Sequence, residues 1–206
     1  LERILNYELD DCPIWALGDS RGRRYLDRQT VRVVTNGSAG QSFGAFCSDG
    51  MVMDHTGTCN DGVGKGASGG QIIIRSPGGG RPGENVLIGN FALFGATGGQ
   101  TFIEGQAGDR FAVRNSGATV VVEGVGDFCG EYMTNGAILN LGKFAKGYGN
   151  GMSGGFAYQY DPEGHLPDMI SADSVCMGNL MDGSHHAEIH EDAIMQMLNW
   201  HIAATG

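Results

Sequence analysis

The chain has 206 residues, enough for one domain with its own core or for two very small domains. Glycine supplies 37 of them, against an average share of roughly 7%, and it does not recur at every third position, which excludes collagen. The formal net charge of −10 argues against nucleic acid and anionic membrane surfaces as partners.

The hydrophobic and cysteine patterns predict a cytoplasmic protein that does not cross a membrane. No apolar run approaches the roughly 18 residues of a membrane-spanning helix, and the first residues lack the basic-then-apolar layout of a secretory leader. The cysteines are scattered and form no C-x-x-C pair, which favours reduced thiols over a disulfide framework. They are Cys12, Cys47, Cys59, Cys129 and Cys176.

The chain divides into three predicted parts. Residues 1–30 form an N-terminal cap with a hairpin around GDSRG, residues 31–160 form a glycine-rich repeat, and residues 161–206 form a C-terminal extension. In the repeat, a small polar residue is followed by glycine and then by a strand-like run such as QIIIR or TVVVEG. The aligned glycines are Gly50, Gly69, Gly98, Gly117, Gly136 and Gly154, separated by 19, 29, 19, 19 and 18 residues.

The one long interval contains SPGGGRPGEN, residues 76–85, which is typical of an inserted loop. A period of about 19 residues without an internal helix predicts an all-β protein, a right-handed parallel β-helix of about seven coils. The aligned glycines are expected at the corners, where turns need positive φ. The interior is expected to hold stacked apolar residues, among them Val120, Val121, Val122, Ile138 and Leu139.

The C-terminal extension contains a predicted amphipathic helix from Glu188 onward. Its apolar face is expected to consist of Ile189, Ala193, Ile194, Met197, Leu198 and Ile202. His186 and His190 stand four residues apart and could meet one metal ion, but a third ligand and the HExxH order are absent. No metal site is therefore predicted.

The stretch GKGASGG contains a G-x-G-x-x-G pattern at Gly64, Gly66 and Gly69. A dinucleotide fingerprint must open a helix, whereas here a strand follows, and the same pattern returns before a strand at Gly149, Gly151 and Gly154. These glycines are therefore predicted to serve the backbone, and no nucleotide site is expected.

Several words of the repeat resemble the C-terminal GXGXG β-helix domain of the glutamate synthase large subunit. They include GSAGQSFGAF, NDGVGKGASGG, GNFALFGATGG, AGDRFAVRNSGATVVVEGVGD and LGKFAKGYGNGMSGGFAYQYD, and the match covers roughly residues 31–161. In that family a glutaminase part releases ammonia, and an FMN-binding barrel with an iron–sulfur cluster uses it to form glutamate from 2-oxoglutarate. The β-helix domain carries neither the nucleophile nor the flavin ligands.

The resemblance implies a non-catalytic scaffold, as a separate subunit or an excised domain, that holds the glutaminase and FMN-binding synthase parts together. It implies no catalytic, cofactor or metal residues in this chain, with FMN and the iron–sulfur cluster in the partners. The equivalent subunit of an N-methylglutamate synthase-like or a formylmethanofuran dehydrogenase-like complex is an alternative. A self-contained β-helix enzyme is a further alternative, and homo-oligomers stay open.

Polar residues within the repeat could serve for docking. Asp109-Arg110 and Glu131-Tyr132 could form a catalytic pair, although surface salt bridges or a docking face explain them better. The predicted docking face comprises Arg110, Asn115 and Glu131.

Overall fold

A computed structural model describes residues 29–78, 83–170, 175–182 and 185–206, without the side chains of residues 182, 185 and 186. The predicted N-terminal hairpin and the middle of the predicted insertion, residues 79–82, lie outside the described residues. The strands are β1 (Val31–Ser38), β2 (Met51–Thr58), β3 (Ser68–Arg75), β4 (Val86–Ile88), β5 (Gly98–Ile103), β6 (Gln106–Ala107), β7 (Ser116–Gly124), β8 (Asn135–Lys143) and β9 (Phe156–Gln159).

The strands form a parallel solenoid. Seven of them pair in the order β1-β2-β3-β5-β7-β8-β9, and the short strands β4 and β6 pair in a second, two-stranded sheet. After the strands come a one-turn helix α1 (Leu166–Met169), a 3₁₀ helix (Leu180–Asp182) and a long helix α2 (His185–Thr205). The predicted parallel β-helix of about seven coils with a C-terminal helix is confirmed.

Equivalent residues stack from coil to coil, on two faces of the large sheet. Val120 pairs with Ile138 and faces the interior of the solenoid, where Val122 also lies. Val121 and Leu139 pair one residue later and therefore face outward, under α2. The prediction that all five apolar residues lie inside the coils is wrong for these two, because side chains alternate along each strand.

The predicted reason for the aligned glycines holds at two positions. Gly50 and Gly136 have φ of 84° and 90°. The remaining four do not have positive φ, and each lies where a β-carbon would collide with the coil before it; at Gly98 it would lie 2.6 Å from the Ser68 carbonyl oxygen. The requirement at these four is close approach between coils, so the expected left-handed conformation is wrong at Gly69, Gly98, Gly117 and Gly154.

Helix α2 packs across the outer face of the large sheet. Its buried residues include Ala187, Met197 and His201, and the half-buried Ile194, Leu198 and Ala204 pack against the apolar cluster of the sheet. Ile189 and Ile202 are 55% and 61% exposed, so the predicted apolar face is wrong for both. The helix is rotated so that small and polar residues, among them His201, take their place.

An ion cluster joins the C-terminal end of α2 to the sheet. Asp54 on β2 is almost fully buried and is paired with Arg75, and with Arg32 Nη2 at 2.6 Å. Arg75 Nη2 also donates to the Ala204 carbonyl oxygen at 2.6 Å. A guanidinium at this position complements the negative end of the helix dipole, so Arg75 connects β2, β3 and α2.

Candidate functional site

The most unusual backbone in the described part of the chain is a turn that recurs in six successive coils. In each turn, three alternate residues have positive φ, between 44° and 73°. These triplets are Ser42-Gly44-Phe46, Gly62-Gly64-Gly66, Phe91-Leu93-Gly95, Arg110-Ala112-Arg114, Phe128-Gly130-Tyr132 and Gly147-Gly149-Gly151. We call each of these segments a turn tract.

Hydrogen bonds between coils hold the turn tracts. In the Arg110–Arg114 tract, Arg110 N–H donates to Asp127 O at 2.7 Å and Arg114 N–H donates to Glu131 O at 2.8 Å, both in the next coil. Ala112 N–H donates to Ala92 O at 2.8 Å, in the preceding coil. Left-handed backbone costs a non-glycine residue roughly 1–2 kcal/mol, so these bonds offset a real strain. They also occupy amide groups that could otherwise bind an anion.

The outer side chains of the tracts interlock with glycines one coil away. The Phe46 ring lies against Gly66, where a β-carbon would approach it to 2.9 Å, and the Tyr132 ring lies against Gly151, where the distance would be 2.6 Å. The Phe128 ring covers Gly147 in the same way. The G-x-G-x-G spacing therefore serves both the backbone and the packing of aromatic rings.

The motif that matters around GKGASGG is Gly62-Gly64-Gly66, which begins two residues before the G-x-G-x-x-G pattern at Gly64, Gly66 and Gly69. Gly69 belongs to strand β3. The two-residue spacing at 62–66 and again at 147–151 is the signal in the sequence that marks the tracts. The other tracts contain non-glycine residues at the left-handed positions, so the sequence does not show them.

A polar ladder runs along one side of the tracts. Asp61 Oδ1 accepts Asn90 N–H at 2.7 Å, Asn90 Oδ1 accepts Asp109 N–H at 2.9 Å, and Asp109 Oδ1 accepts Asp127 N–H at 2.9 Å. Asp127 is also paired with Lys146 at 3.4 Å. The Asp109 carboxylate therefore joins coils and is not paired with Arg110 as an acid–base couple.

The structure separates the three residues of the predicted docking face. Arg110 is exposed on a turn tract, and Glu131 is half-buried in the next coil. Asn115 is fully buried: its Oδ1 accepts Ala118 N–H at 2.8 Å and Gly117 N–H at 3.1 Å, and its Nδ2 donates to Ala118 O at 3.0 Å. The prediction that Asn115 lies on a docking surface is wrong, because its amide completes a turn inside the coil.

Three coils of the turn tracts present aromatic and arginine side chains outward. Phe91 and Phe94 lie in one coil, Arg110 and Arg114 in the next, and Phe128 and Tyr132 in the third. Both arginines are exposed, Phe94 is 39% exposed and Tyr132 is 51% exposed, whereas Phe91 and Phe128 are half-buried. We call this surface the aromatic–arginine patch. It comprises Phe91, Phe94, Arg110, Arg114, Phe128 and Tyr132.

Outside the patch, the cysteine and histidine side chains that could bind a metal ion or act as a nucleophile are instead packed in the fold. Burial raises the pKa of Cys47 to about 11 and the pKa values of Cys59 and Cys129 to about 12, so these thiols stay protonated near neutral pH. Within the described residues, no three histidine, cysteine, aspartate or glutamate side chains lie close enough to hold one metal ion. His190 Nδ1 lies 2.8 Å from the Tyr158 hydroxyl, and its ring stacks edge-on against Phe156.

A shallow groove of about 390 Å³ lies beside the end of β7. Its lining includes Glu123 and Lys143, and Glu123 Oε1 lies 3.3 Å from Nε2 of the buried His201 on α2. This contact joins α2 to the sheet. Among the lining residues that the structure describes, no nucleophile is paired with a base. In the described part of the chain, no helix is both long and apolar enough to span a bilayer.

A comparison of the sequence with known protein families agrees with the recurring G-x-G-x-G spacing of the tracts. The family model described as the GXGXG motif matches residues 16–206. The chain belongs to the GXGXG family. The GXGXG chain is 48% identical over 168 residues to glutamate synthase (NADH) of Schizosaccharomyces pombe, a match that covers 81% of this chain and 8% of that protein.

Two further relatives of the GXGXG chain carry similar names. The large chain of glutamate synthase (NADPH) from Bacillus subtilis is 52% identical over 139 residues, 66% of this chain and 9% of that protein. Ferredoxin-dependent glutamate synthase 2 of Synechocystis is 44% identical over 172 residues, 82% of this chain and 11% of that protein. The chain is thus a glutamate synthase-type domain that spans about a tenth of the length of these curated relatives.

Proposed function

We propose that this GXGXG chain is a non-catalytic scaffold of a glutamate synthase-type assembly, in which glutamine and 2-oxoglutarate yield glutamate. It holds a glutaminase part and an FMN-dependent synthase part in fixed relation. The observation that carries the proposal is the similarity of most of the chain to a small part of three much longer glutamate synthases. About nine tenths of those proteins lies outside the match, and we assign the chemistry to that remainder.

The hydrogen bonds of the polar side chains in the solenoid support a scaffold role, because these side chains hold the fold together. The Asp109 carboxylate and the Asn115 amide satisfy backbone groups, and Asp54 pairs with Arg32 and with Arg75, which bonds to the end of α2. Buried, protonated thiols do not fit an iron–sulfur cluster, which requires several convergent thiolates. The glycine tract 62–66 leads into strand β3 and does not open a helix that could hold a flavin phosphate. We therefore place FMN and the cluster in the partner parts.

Reconstitution tests the proposal. The glutaminase and FMN-binding parts of the same organism's glutamate synthase are mixed with and without this chain, and glutamate formation is measured with glutamine or with ammonium as the nitrogen source. The expected result is that omission of the chain abolishes glutamine-dependent synthesis and leaves ammonium-dependent synthesis largely intact. Full glutamine-dependent activity without the chain, or turnover of glutamine by the isolated chain, would overturn the proposal.

A further inference from the structure

We infer that the aromatic–arginine patch is the surface through which this domain docks on the catalytic remainder of the glutamate synthase-type assembly, against an apolar protein surface that presents carboxylates to Arg110 and Arg114. This inference rests on the proposed function and adds to it the surface and the chemistry of the partner.

Composition is the first argument. Protein interfaces are enriched in Tyr, Phe and Arg at their energetic centre, and are depleted of Lys and Glu there. In the patch, two arginines of one coil are flanked on both sides by pairs of aromatic residues. Coils lie about 4.8 Å apart, so the three levels place these six side chains within one compact area.

Charge is the second argument. The protein carries a formal net charge of −10, yet Arg110 and Arg114 form no ion pair within the described residues. Two of the nearby carboxylates are already engaged, Asp109 with the Asp127 N–H group and Asp127 with Lys146. Two exposed guanidinium groups with fixed backbones remain available for carboxylates of another surface.

The third argument is backbone strain. Arg110, Arg114, Phe128 and Tyr132 all have positive φ, between 55° and 60°, although glycine occupies the equivalent outer positions in the 62–66 and 147–151 tracts. The rings of Phe128 and Tyr132 pack on Gly147 and Gly151 and therefore also serve the fold. Arg110 and Arg114 keep large charged side chains in a strained conformation where two other tracts have glycine, which points to a use outside the fold.

Helix α2 already covers the middle of the outer face of the large sheet. Its residues pack there on Phe102, Val121 and Leu139. The patch lies on the turn tracts, where it stays open in the described part of the structure. Since the relatives continue for about ten times the length of the match, the remainder of that assembly is the occupant to which we commit.

The test uses the glutaminase and FMN-binding parts of the same organism's glutamate synthase as binding partners. We compare the unchanged chain, the double variant Arg110→Glu/Arg114→Glu, the variant Tyr132→Ala, and the control Lys143→Glu, which reverses an exposed charge outside the patch. Affinities are measured by calorimetry, and folding is checked by circular dichroism and melting. Arg110→Gln/Arg114→Gln replaces the double variant should the latter fail to fold.

We expect the double variant to bind at least about a hundredfold more weakly and Tyr132→Ala about tenfold more weakly, with Lys143→Glu unchanged. Binding by the unchanged chain together with normal binding by folded patch variants would overturn this inference and leave the scaffold proposal standing. Failure of the unchanged chain to bind either part would instead overturn the scaffold proposal. A patch-dependent homodimer, seen by light scattering in place of partner binding, would also overturn the inference.

Discussion

Single residues carry unusual strain in the turn tracts. Nine non-glycine residues in these tracts have positive φ, and the hydrogen bonds between coils hold them there. Such strain is commonly retained where function requires the side chain. Part of that requirement lies within the fold, since the Phe46, Phe128 and Tyr132 rings pack on glycines of the next coil. For Arg110 and Arg114 we place it at the proposed docking surface.

Replacement of Arg114 by glycine should therefore stabilise the isolated domain. Relief of the left-handed strain, reduced by the greater freedom of glycine in the unfolded chain, predicts a gain of about 0.5–1 kcal/mol in the free energy of unfolding. The same change should weaken partner binding. Urea unfolding provides the measurement, and Arg114→Ala is the matched control, since it removes the guanidinium and keeps the strain. An equal gain in both variants would show that charge, and not backbone conformation, limits stability.

At Gly136 the opposite change, from glycine to a larger residue, should destabilise the domain. Its φ is 90°, and a β-carbon would lie 2.5 Å from the Ala118 carbonyl oxygen and 3.0 Å from Asn115 Nδ2. Gly136→Val should lower the free energy of unfolding by about 1–3 kcal/mol. Gly178→Val is the control, because a β-carbon at Gly178 has open space around it and its φ is not positive. A melting temperature of Gly136→Val equal to that of the unchanged protein would contradict this account.

At the level of elements, the strands could be predicted because each repeat contains its own glycine and apolar run. The face of α2 could be predicted only in part. Helical spacing places Ile194, Met197 and Leu198 on the face that packs against the sheet, but the rotation of the helix depends on groups distant in sequence. Among them is Glu123 on β7, which lies beside the buried His201. No local pattern distinguishes Ile189 and Ile202, which are exposed, from their buried neighbours.

The ion cluster at the C-terminal end of α2 predicts that Arg75 holds this end of the helix on the sheet. Arg75→Met removes the donor to the Ala204 carbonyl oxygen and leaves buried Asp54 with Arg32 alone. We expect a loss of about 1–3 kcal/mol in the free energy of unfolding and faster hydrogen exchange in residues 195–205. Arg32→Met is the control, since Arg32 is half-exposed and makes no bond to the helix. Exchange in α2 that is equally fast in both variants would show that Arg75 does not hold it.

At the scale of the whole molecule, α2 connects coils that otherwise contact only their neighbours. Its first half meets Tyr158 on β9, and its last turn meets Arg75 on β3. The helix therefore spans most of the sheet. The repeat period predicts the solenoid, but of the six residues in the patch only Arg110 belongs to the docking face predicted from the sequence. The patch brings together residues 18 to 19 positions apart in adjacent coils, and five of its six residues have left-handed backbone, which no local pattern shows.

Three buried thiols, in different coils of the solenoid, make the free energy of unfolding depend on pH. Burial raises the pKa of Cys129 from its ordinary value of 9.0 to about 12, and it raises the pKa values of Cys47 and Cys59 to about 11 and about 12. Between pH 9 and 12 the folded chain therefore binds more protons than the unfolded chain. By linkage, this stability is fully present below pH 9 and is lost as the pH rises through 11 to 12.

The free energy of unfolding should therefore fall steadily above about pH 9. Urea midpoints at intervals between pH 8 and pH 11 give the slope, and Cys129→Ala, measured in parallel, separates the thiol from lysine and tyrosine groups that titrate in the same range. Because Cys129 is fully buried at the centre of one coil, its removal should make the fall shallower while lowering stability at pH 8 through lost packing. Parallel slopes in the two proteins would mean that this thiol does not stay protonated in the folded state, and that water reaches the interior of the coils.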